Sequence, residues 1–219
     1  MTERKTKITK AYRSSQNYYD DALTGKRWWA KLYAHVIWGA DDWEIAARLL
    51  DFLPKDFAGK LLDVPTGTGL FTAERYKTMA DAHITALDYS ENMLEKARAR
   101  FTDCPNVTCV QGDVGTLRFE DESFDVVLSM NGFHAFPDKN AAFRETARVL
   151  KPEGLFLATF YIRKQRRAAD ALVKAFLQPK GFFTPPYWTK NELETILCRY
   201  YGTVGLSAEG GMAIMRCVK

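Results

Sequence analysis

Three aspartates at the ends of short apolar stretches are the residues of this sequence best suited to bind a small polar ligand. Asp63 ends the stretch Lys60-Leu-Leu-Asp and precedes a loop with two alternate glycines, Gly67 and Gly69. Glycine permits a tight turn there and lets a ligand lie directly on the backbone, where a Cβ would clash. The free amides at the start of the following helix favour a carboxylate or a phosphate. The order of strand, glycine loop and helix therefore predicts a ligand site, with a simple tight turn as the alternative.

Asp88 and Asp113 extend this pattern along the chain. Asp88 ends the predicted strand His83-Ile-Thr-Ala-Leu-Asp and lies 19 residues beyond Gly69. Nucleotide-binding units place a carboxylate on the ribose hydroxyls at this separation, and a carboxylate can accept two hydrogen bonds from a cis-diol. Asp113 ends a third predicted strand that begins at Val107. Taken alone, Asp113 is also explained as the cap of the next helix.

The residues around the glycine loop narrow the choice of ligand. Asp63 would place a like charge beside a pyrophosphate, and Thr72 stands where the dinucleotide fingerprint has its third small residue. A ligand with an ammonium group for Asp63 and a carboxylate for the amides fits both observations. The methionine part of S-adenosylmethionine carries these two groups.

At these residues the chain resembles the class I S-adenosylmethionine-dependent methyltransferases, and within them the ubiquinone/menaquinone-type (methyltransferase type 11) small-molecule group. The family's first motif is an acidic residue followed by three alternate glycines. Asp63, Gly67 and Gly69 match it, whereas Pro65 replaces the first glycine. The stretch Asp88-Tyr-Ser-Glu-Asn-Met-Leu resembles the second motif.

The resemblance implies S-adenosyl-L-methionine as the cofactor and S-adenosyl-L-homocysteine as the product. In the family, the residues that match Asp113 and Val114 contact the adenine. The implied cofactor-binding residues are Asp63, Pro65, Thr66, Gly67, Gly69, Asp88, Tyr89, Met93, Asp113, Val114, Met130 and Asn131. Tyr19 is added because Tyr19-Asp20 is similar to an N-terminal pair whose tyrosine faces the cofactor in the quinone-type enzymes.

The loop Asn131-Gly-Phe-His-Ala-Phe-Pro-Asp138 is expected to face the transferred methyl group, because ligands lie beyond the carboxyl ends of parallel strands. His134 in this loop is the candidate acid/base or substrate-orienting residue, since histidine titrates near neutrality. A histidine that only hydrogen-bonds the loop is the alternative. The candidate residues of the substrate pocket are Phe133, Tyr187 and Trp188, with Phe182 and Phe183 beside them.

The elements that must position these residues alternate between strand and helix. This alternation predicts an α/β fold with a Rossmann-like open, mainly parallel seven-stranded sheet and helices on both faces. Thr203-Val-Gly-Leu-Ser-Ala and Ala213-Ile-Met-Arg-Cys-Val, joined through Gly210-Gly211, predict a closing antiparallel hairpin. We divide the chain into an aromatic N-terminal helical lid over residues 1–57 and a cofactor-binding methyltransferase domain over residues 58–219.

Composition excludes several classes of protein. The chain has 219 residues, a net charge of +4 and a 47% hydrophobic content, which is typical of a globular protein without a dedicated nucleic-acid-binding face. Its 4 cysteines show no metal-ligand spacing, so we expect no metal and a reducing, cytoplasmic location. No apolar run is long enough to span a membrane. The basic run Arg163-Lys-Gln-Arg-Arg167 is expected to be a solvated surface, with an anionic substrate as the alternative.

The function predicted from the sequence is transfer of a methyl group to a small, partly apolar molecule by in-line displacement at a sulfonium. We expect a monomer or a homodimer with no nucleic-acid partner. The alternatives are a Rossmann-type NAD(P)-dependent oxidoreductase and a non-catalytic module that binds an adenosyl ligand. Asp63 before the glycines and the absent third glycine disfavour the oxidoreductase.

Overall fold

A computed structural model describes residues 38–219, which form one seven-stranded sheet with the strand order β3-β2-β1-β4-β5-β7-β6. The segment before Trp38, which includes Tyr19 and most of the predicted lid, lies outside the described residues. The strands are β1 (Lys60–Asp63), β2 (His83–Asp88), β3 (Val107–Gln111), β4 (Phe124–Met130), β5 (Leu150–Tyr161), β6 (Thr203–Glu209) and β7 (Met212–Val218).

Helices connect the strands and cover both faces of the sheet. They are α1 (Asp42–Leu50), α2 (Ala73–Lys77), α3 (Glu91–Arg100), α4 (Lys139–Val149), α5 (Arg167–Leu172) and α6 (Lys190–Leu197), with a 3-10 turn at Val114–Thr116 and a π-helical turn at Val173–Leu177. Within residues 38–219, no helix is long and apolar enough to cross a membrane.

The pairing of the strands confirms the predicted fold. The strands β1 to β5 pair in parallel, whereas β7 runs antiparallel to both β5 and β6. The chain passes from β1 outward to β2 and β3, then returns to place β4 on the other side of β1. Ligands bind at such a topological switch point, beyond the carboxyl ends of the strands.

Alternate residues of the central strands pack on opposite faces, as expected of strands that are buried on both sides. Leu61, Val126 and Leu128 belong to the core on one face, and Leu62 and Val127 to the core on the other. Side chains cap the starts of two helices. The Ser90 side chain accepts from the amide of Met93, and Thr189 forms a capping box with Glu192.

The fifth strand contains an irregularity near its start. The residues Lys151-Pro-Glu-Gly154, whose proline and glycine are typical of a turn, lie inside β5, which starts at Leu150. The pairing with β4 jumps from Phe124↔Leu150 to Val126↔Leu155, so these turn residues form a bulge. Glu153 takes a φ of 60° there, which bends the strand without ending it.

The second glycine of the loop after β1 is held by packing as well as by its backbone. Gly69 has a φ of +68°, in the left-handed region that favours glycine, and a Cβ on it would lie 2.4 Å from the ring of Phe101. Phe101, which follows α3, is buried. Gly69 therefore allows the loop to lie against the end of α3.

We predict that Gly69→Ala lowers the free energy of unfolding by about 2–4 kcal/mol, because it combines left-handed strain with overpacking against Phe101. Urea denaturation followed by circular dichroism measures this change. Gly202→Ala is the control, since its Cβ would meet only a backbone oxygen at 4.0 Å and its φ is not left-handed. Equal denaturation midpoints for the two variants would contradict the prediction.

Candidate active site

A cleft opens at the carboxyl ends of β1, β2 and β3, where the sequence predicts the ligand. It is lined by Val64, Pro65, Leu87, Asp88, Tyr89, Gly112, Asp113, Val114, Phe136 and Pro137. Five of the predicted cofactor-binding residues are in this lining: Pro65, Asp88, Tyr89, Asp113 and Val114. Residues that are separated by up to 49 positions in the sequence therefore meet because their strands end at one edge of the sheet.

Asp88 connects the glycine loop to the end of β2. Its carboxylate accepts a hydrogen bond from the Gly67 amide at 2.9 Å and another from the Ser90 amide at 2.8 Å, one on each oxygen. Each carboxylate oxygen has a second lone pair, which leaves acceptor capacity for a ligand. Burial raises the pKa of Asp88 to about 6, against the three backbone amides that favour its charged form.

Gly67 presents an open face. Its φ is +58°, and a Cβ built on it would have no heavy atom within 4 Å. Gly67 and Gly69 therefore differ: the second glycine is needed for packing, whereas the first leaves space beside the carboxylate that lines the cleft. This cradle fits the adenosyl ligand that the sequence predicts.

The structure places Asp63 inside the loop and not on the surface of the cleft. Its side chain is buried, and one oxygen accepts hydrogen bonds from Thr66 Oγ1 at 2.9 Å and from Tyr76 Oη at 3.0 Å. Burial, together with the charge of Asp88, raises its pKa to about 7. Asp63 and Thr66 thus support the loop from within, which differs from the direct contact with an ammonium group that we expected of Asp63.

Asp113 caps the turn that follows it and also belongs to the lining of the cleft. Its Oδ1 accepts from the Gly115 amide at 2.8 Å, so it caps the turn Val114–Thr116, while the residue also lines the cleft. Two further predicted cofactor residues are more remote. Met93 and Met130 are both buried, in α3 and at the end of β4, and neither belongs to the cleft lining described above.

Pro65, the departure from the family motif, packs against the backbone of the loop after β4. A Cβ on Gly132 would lie 2.3 Å from Pro65 Cδ and 2.8 Å from the Phe136 ring. A proline in the first loop is therefore accommodated by a glycine in the second. The same contact places Asn131, whose φ is +53°, beside the glycine loop.

The loop that contains His134 is held by the segment 182–188. The Thr184 amide donates to the His134 carbonyl at 2.8 Å, and Thr184 Oγ1 donates to the Phe136 carbonyl at 2.6 Å. The His134 ring stacks on Phe183 with a centroid distance of 4.0 Å. Burial lowers the pKa of His134 to about 3, so its ring is neutral and a weak base near pH 7. This environment suits an orienting role better than proton transfer.

The three predicted pocket residues lie in different surroundings. Phe133 is fully buried and packs against Phe143 and Phe160, which places it in the core and away from the cleft. Trp188 is buried in the same core. Tyr187 is half-buried, and its hydroxyl finds no hydrogen-bond partner among residues 38–219, while burial raises its pKa to about 12.

Arg163, the first residue of the basic run after β5, forms an ion pair and a hydrogen bond with neighbouring groups. Arg163 forms a two-pronged ion pair with Glu192 at 2.7 and 2.9 Å and donates to the Tyr187 carbonyl at 2.9 Å. Arg163 thereby ties the end of β5 to the start of α6. This structural role agrees with the expectation of a solvated surface. It gives no support to the alternative that the run binds an anionic substrate.

Lys139 is a buried residue that the sequence analysis missed. It is the first residue of α4 and is 3% exposed, and its Nζ donates to the carbonyl and the hydroxyl of Thr184. Nζ also lies 5.3 Å from the centroid of the Tyr187 ring and 5.8 Å from that of Trp188. Burial lowers its pKa to about 7. In the sequence it is an ordinary lysine after the helix cap Asp138, so no signal distinguishes it.

We predict that Lys139 makes the stability of the protein depend on pH above neutrality. Between pH 7 and 10.5 the unfolded chain holds a proton that the folded chain has released, so the free energy of unfolding should rise with pH. The slope contributed by this residue is at most about 1.4 kcal/mol per pH unit. Urea denaturation of the wild type and of Lys139→Met between pH 7 and 9 measures it, and the variant should lack this rise.

The matched control for this prediction is Lys190→Met, because Lys190 begins α6 as Lys139 begins α4 but is only half-buried. Lys190→Met should keep the pH dependence of the wild type. A Lys139→Met variant whose stability follows the wild-type pH profile would contradict the assignment of the lowered pKa.

Comparisons with known proteins agree with this geometry. Residues 62–158 match the family model described as a methyltransferase domain. Over 97 residues the chain is 42% identical to a demethylmenaquinone methyltransferase of Staphylococcus aureus, which corresponds to 44% of this chain and 40% of that protein. The match thus spans about two fifths of the length of the curated relative.

Solved structures share the fold at low sequence identity. An S-adenosylmethionine-dependent methyltransferase of Thermotoga maritima is 18% identical with a TM-score of 0.69, over 95% of this chain and 99% of that one. Phosphoethanolamine N-methyltransferase 2 of Haemonchus contortus, solved with S-adenosyl-L-methionine, is 22% identical with a TM-score of 0.62, over 75% of this chain and 38% of that one. Residues 62–158 therefore match a methyltransferase domain in sequence, and the described residues share the fold of solved S-adenosylmethionine-dependent methyltransferases.

Proposed function

We propose that this chain binds S-adenosyl-L-methionine and transfers its methyl group to a small, partly apolar molecule. The observation that carries the proposal is the open face of Gly67, whose amide donates to Asp88 in the cleft lining at the topological switch point of the sheet. A ligand that rests on the glycine backbone would reach that carboxylate with its ribose hydroxyls. The family match over the same residues supports this interpretation.

The residues of the cleft would hold the cofactor rather than react with it. The sulfonium supplies an electrophilic methyl group when the cofactor is bound, so the protein has mainly to align the reactants and exclude water. Asp88 would accept from the ribose hydroxyls, while Asp113 and Val114 would contact the adenine. Since His134 is a weak base in this environment, we do not assign it a proton transfer.

The acceptor that we favour is a ring-shaped molecule of the quinone type. Support comes from the curated relatives, which are demethylmenaquinone methyltransferases, and from the aromatic side chains near the loop after β4. Tyr161, Phe183 and Tyr187 form a group of edge contacts at the end of β5. The lid over residues 1–57, a cytoplasmic location and a monomeric or dimeric state stay predictions from the sequence.

The two alternatives from the sequence find no support in the comparisons. The matched family, the curated relative and the shared structures described above are methyltransferases, whereas an NAD(P)-dependent oxidoreductase would not predict the antiparallel β7 between β5 and β6. A module without turnover would retain the same cleft. Only an assay of methyl transfer separates it from the enzyme.

We predict that S-adenosylmethionine and S-adenosylhomocysteine raise the melting temperature of the purified protein and that NAD(H) does not. A ligand that binds only the native state stabilises it by mass action, by about 2.7 kcal/mol at 100 times the dissociation constant. Differential scanning fluorimetry with the three ligands at equal concentration tests this. Stabilisation by NAD(H) alone would overturn the proposed function.

We predict that Gly67→Ala weakens S-adenosylhomocysteine binding about fivefold to a hundredfold, because the added methyl group occupies the space where the ligand would rest. Isothermal titration calorimetry measures the affinity. The variant should remain folded, since its Cβ meets no other atom and only the left-handed φ costs about 1–2 kcal/mol.

Gly181→Ala is the matched control for this variant. Gly181 has a similar left-handed φ of +78° but lies outside the glycine loop that donates to Asp88, so the affinity of Gly181→Ala for S-adenosylhomocysteine should equal that of the wild type. Wild-type affinity in Gly67→Ala would show that the ligand does not lie on this glycine.

A further inference from the structure

The segment Trp38–Trp43 crosses the carboxyl ends of three neighbouring strands. At its start, Trp38 contacts the ring of Tyr161, the last residue of β5, with an edge-on centroid distance of 5.8 Å. At its end, Trp43 contacts the ring of Phe71, which follows the glycine loop after β1, at 4.9 Å. The segment therefore lies across the edge of the sheet that carries the candidate active site.

Asp42 lies in this segment, opposite the end of β4. The side chain of Asn131, the residue directly after β4, lies near enough to the Asp42 carboxylate to favour its charged form. The next residue, Gly132, packs on Pro65 of the glycine loop. Because Trp43 and Asn131, which adjoin Asp42, both lie next to residues of this loop, the Asp42 carboxylate lies beside it.

The surroundings of Asp42 disfavour its negative charge. It is half-buried, and the nearby charge that acts on it is Asp41, which has the same sign. Burial and this repulsion raise its pKa to about 6. In the part of the chain that the structure describes, no lysine or arginine forms an ion pair with it. A positive group bound beside Asp42 would relieve both unfavourable effects.

The side chain of Asn131 offers a second acceptor at the same place. Its Oδ1 is buried and has no hydrogen-bond donor within residues 38–219. A buried acceptor without a partner costs about 1–3 kcal/mol, so it is usually satisfied by water or by a ligand. Within the described residues, a carboxylate without an ion-pair partner and an amide oxygen without a donor fit a group that carries several N–H donors and a positive charge.

We propose that Asp42, together with Asn131 Oδ1, binds the ammonium group of the methionine part of the cofactor. This inference rests on the proposed function and deepens it, because it assigns the cationic end of the ligand to a residue of the N-terminal segment. The sequence analysis gave that role to Asp63.

Asp63 is less suited to this contact than Asp42. The Asp63 carboxylate is 1% exposed and already accepts from the hydroxyls of Thr66 and Tyr76. An ammonium group on the open side of the loop would therefore meet Asp42 before Asp63.

The test compares two ligands that differ in the amino-acid part. S-Adenosylhomocysteine carries the ammonium group, and 5′-methylthioadenosine lacks the whole amino-acid end. Titration calorimetry should show that Asp42→Asn weakens S-adenosylhomocysteine binding about tenfold to a hundredfold, the value of a charged hydrogen bond. The affinity for 5′-methylthioadenosine should stay at the wild-type value.

Asp41→Asn is the matched control, because it removes the neighbouring charge while asparagine keeps the helix cap that Asp41 provides for α1. It should change neither affinity by more than about threefold, since exposed charges are screened. Wild-type S-adenosylhomocysteine affinity in Asp42→Asn would overturn the inference, and so would an equal loss of both ligands. If the wild-type protein bound neither ligand, the proposed function would fail first and this assignment with it.

Discussion

The hydrogen bond from the Gly67 amide to the Asp88 carboxylate is the interaction on which the candidate site depends. It joins the loop after β1 to the end of β2, two strands that are neighbours in the sheet. The other oxygen of the same carboxylate accepts from the Ser90 amide and so fixes the start of α3. One buried side chain thereby determines the shape of the loop and the position of the helix, and the cleft forms between them.

The opposite wall of the site depends on contacts between loops that are distant in the sequence. The amide and the hydroxyl of Thr184 donate to the carbonyls of His134 and Phe136, and Lys139 Nζ donates to the Thr184 carbonyl. Each of these bonds satisfies a backbone group that would otherwise be buried without a partner. These hydrogen bonds with the segment before α6 therefore hold the loop after β4 in place.

The sequence predicts the framework well because the framework follows from local patterns. The strand Phe124–Met130 follows a near-continuous apolar run, as is typical of a strand buried on both faces of a parallel sheet. The helix Glu91–Arg100 begins directly after its cap Ser90, a residue type that favours a helix start in the sequence as well. The glycine loop and Asp88 could be identified for the same reason, since motif spacing is a property of neighbouring residues.

The details that were not predicted depend on tertiary contacts. The inward orientation of Asp63 requires a hydroxyl from Tyr76, which lies 13 residues further along the chain. The burial of Lys139 requires the loop at Thr184, which is 45 residues away. Asp42 looks like one acid in the first turn of a helix, and its relation to Asn131 appears only when the strands are assembled.

The raised pKa values of the buried acids have a consequence for the order of events in a catalytic cycle. Asp42, Asp63 and Asp88 have pKa values of about 6, 7 and 6, so the protein alone disfavours their negative charges. A cation in the cleft would reverse this effect. Under the proposed function, the cofactor enters with a positive sulfur and leaves with a neutral one. The acids would then hold the charged form more firmly than the spent form, and the transfer itself would loosen the product for exchange.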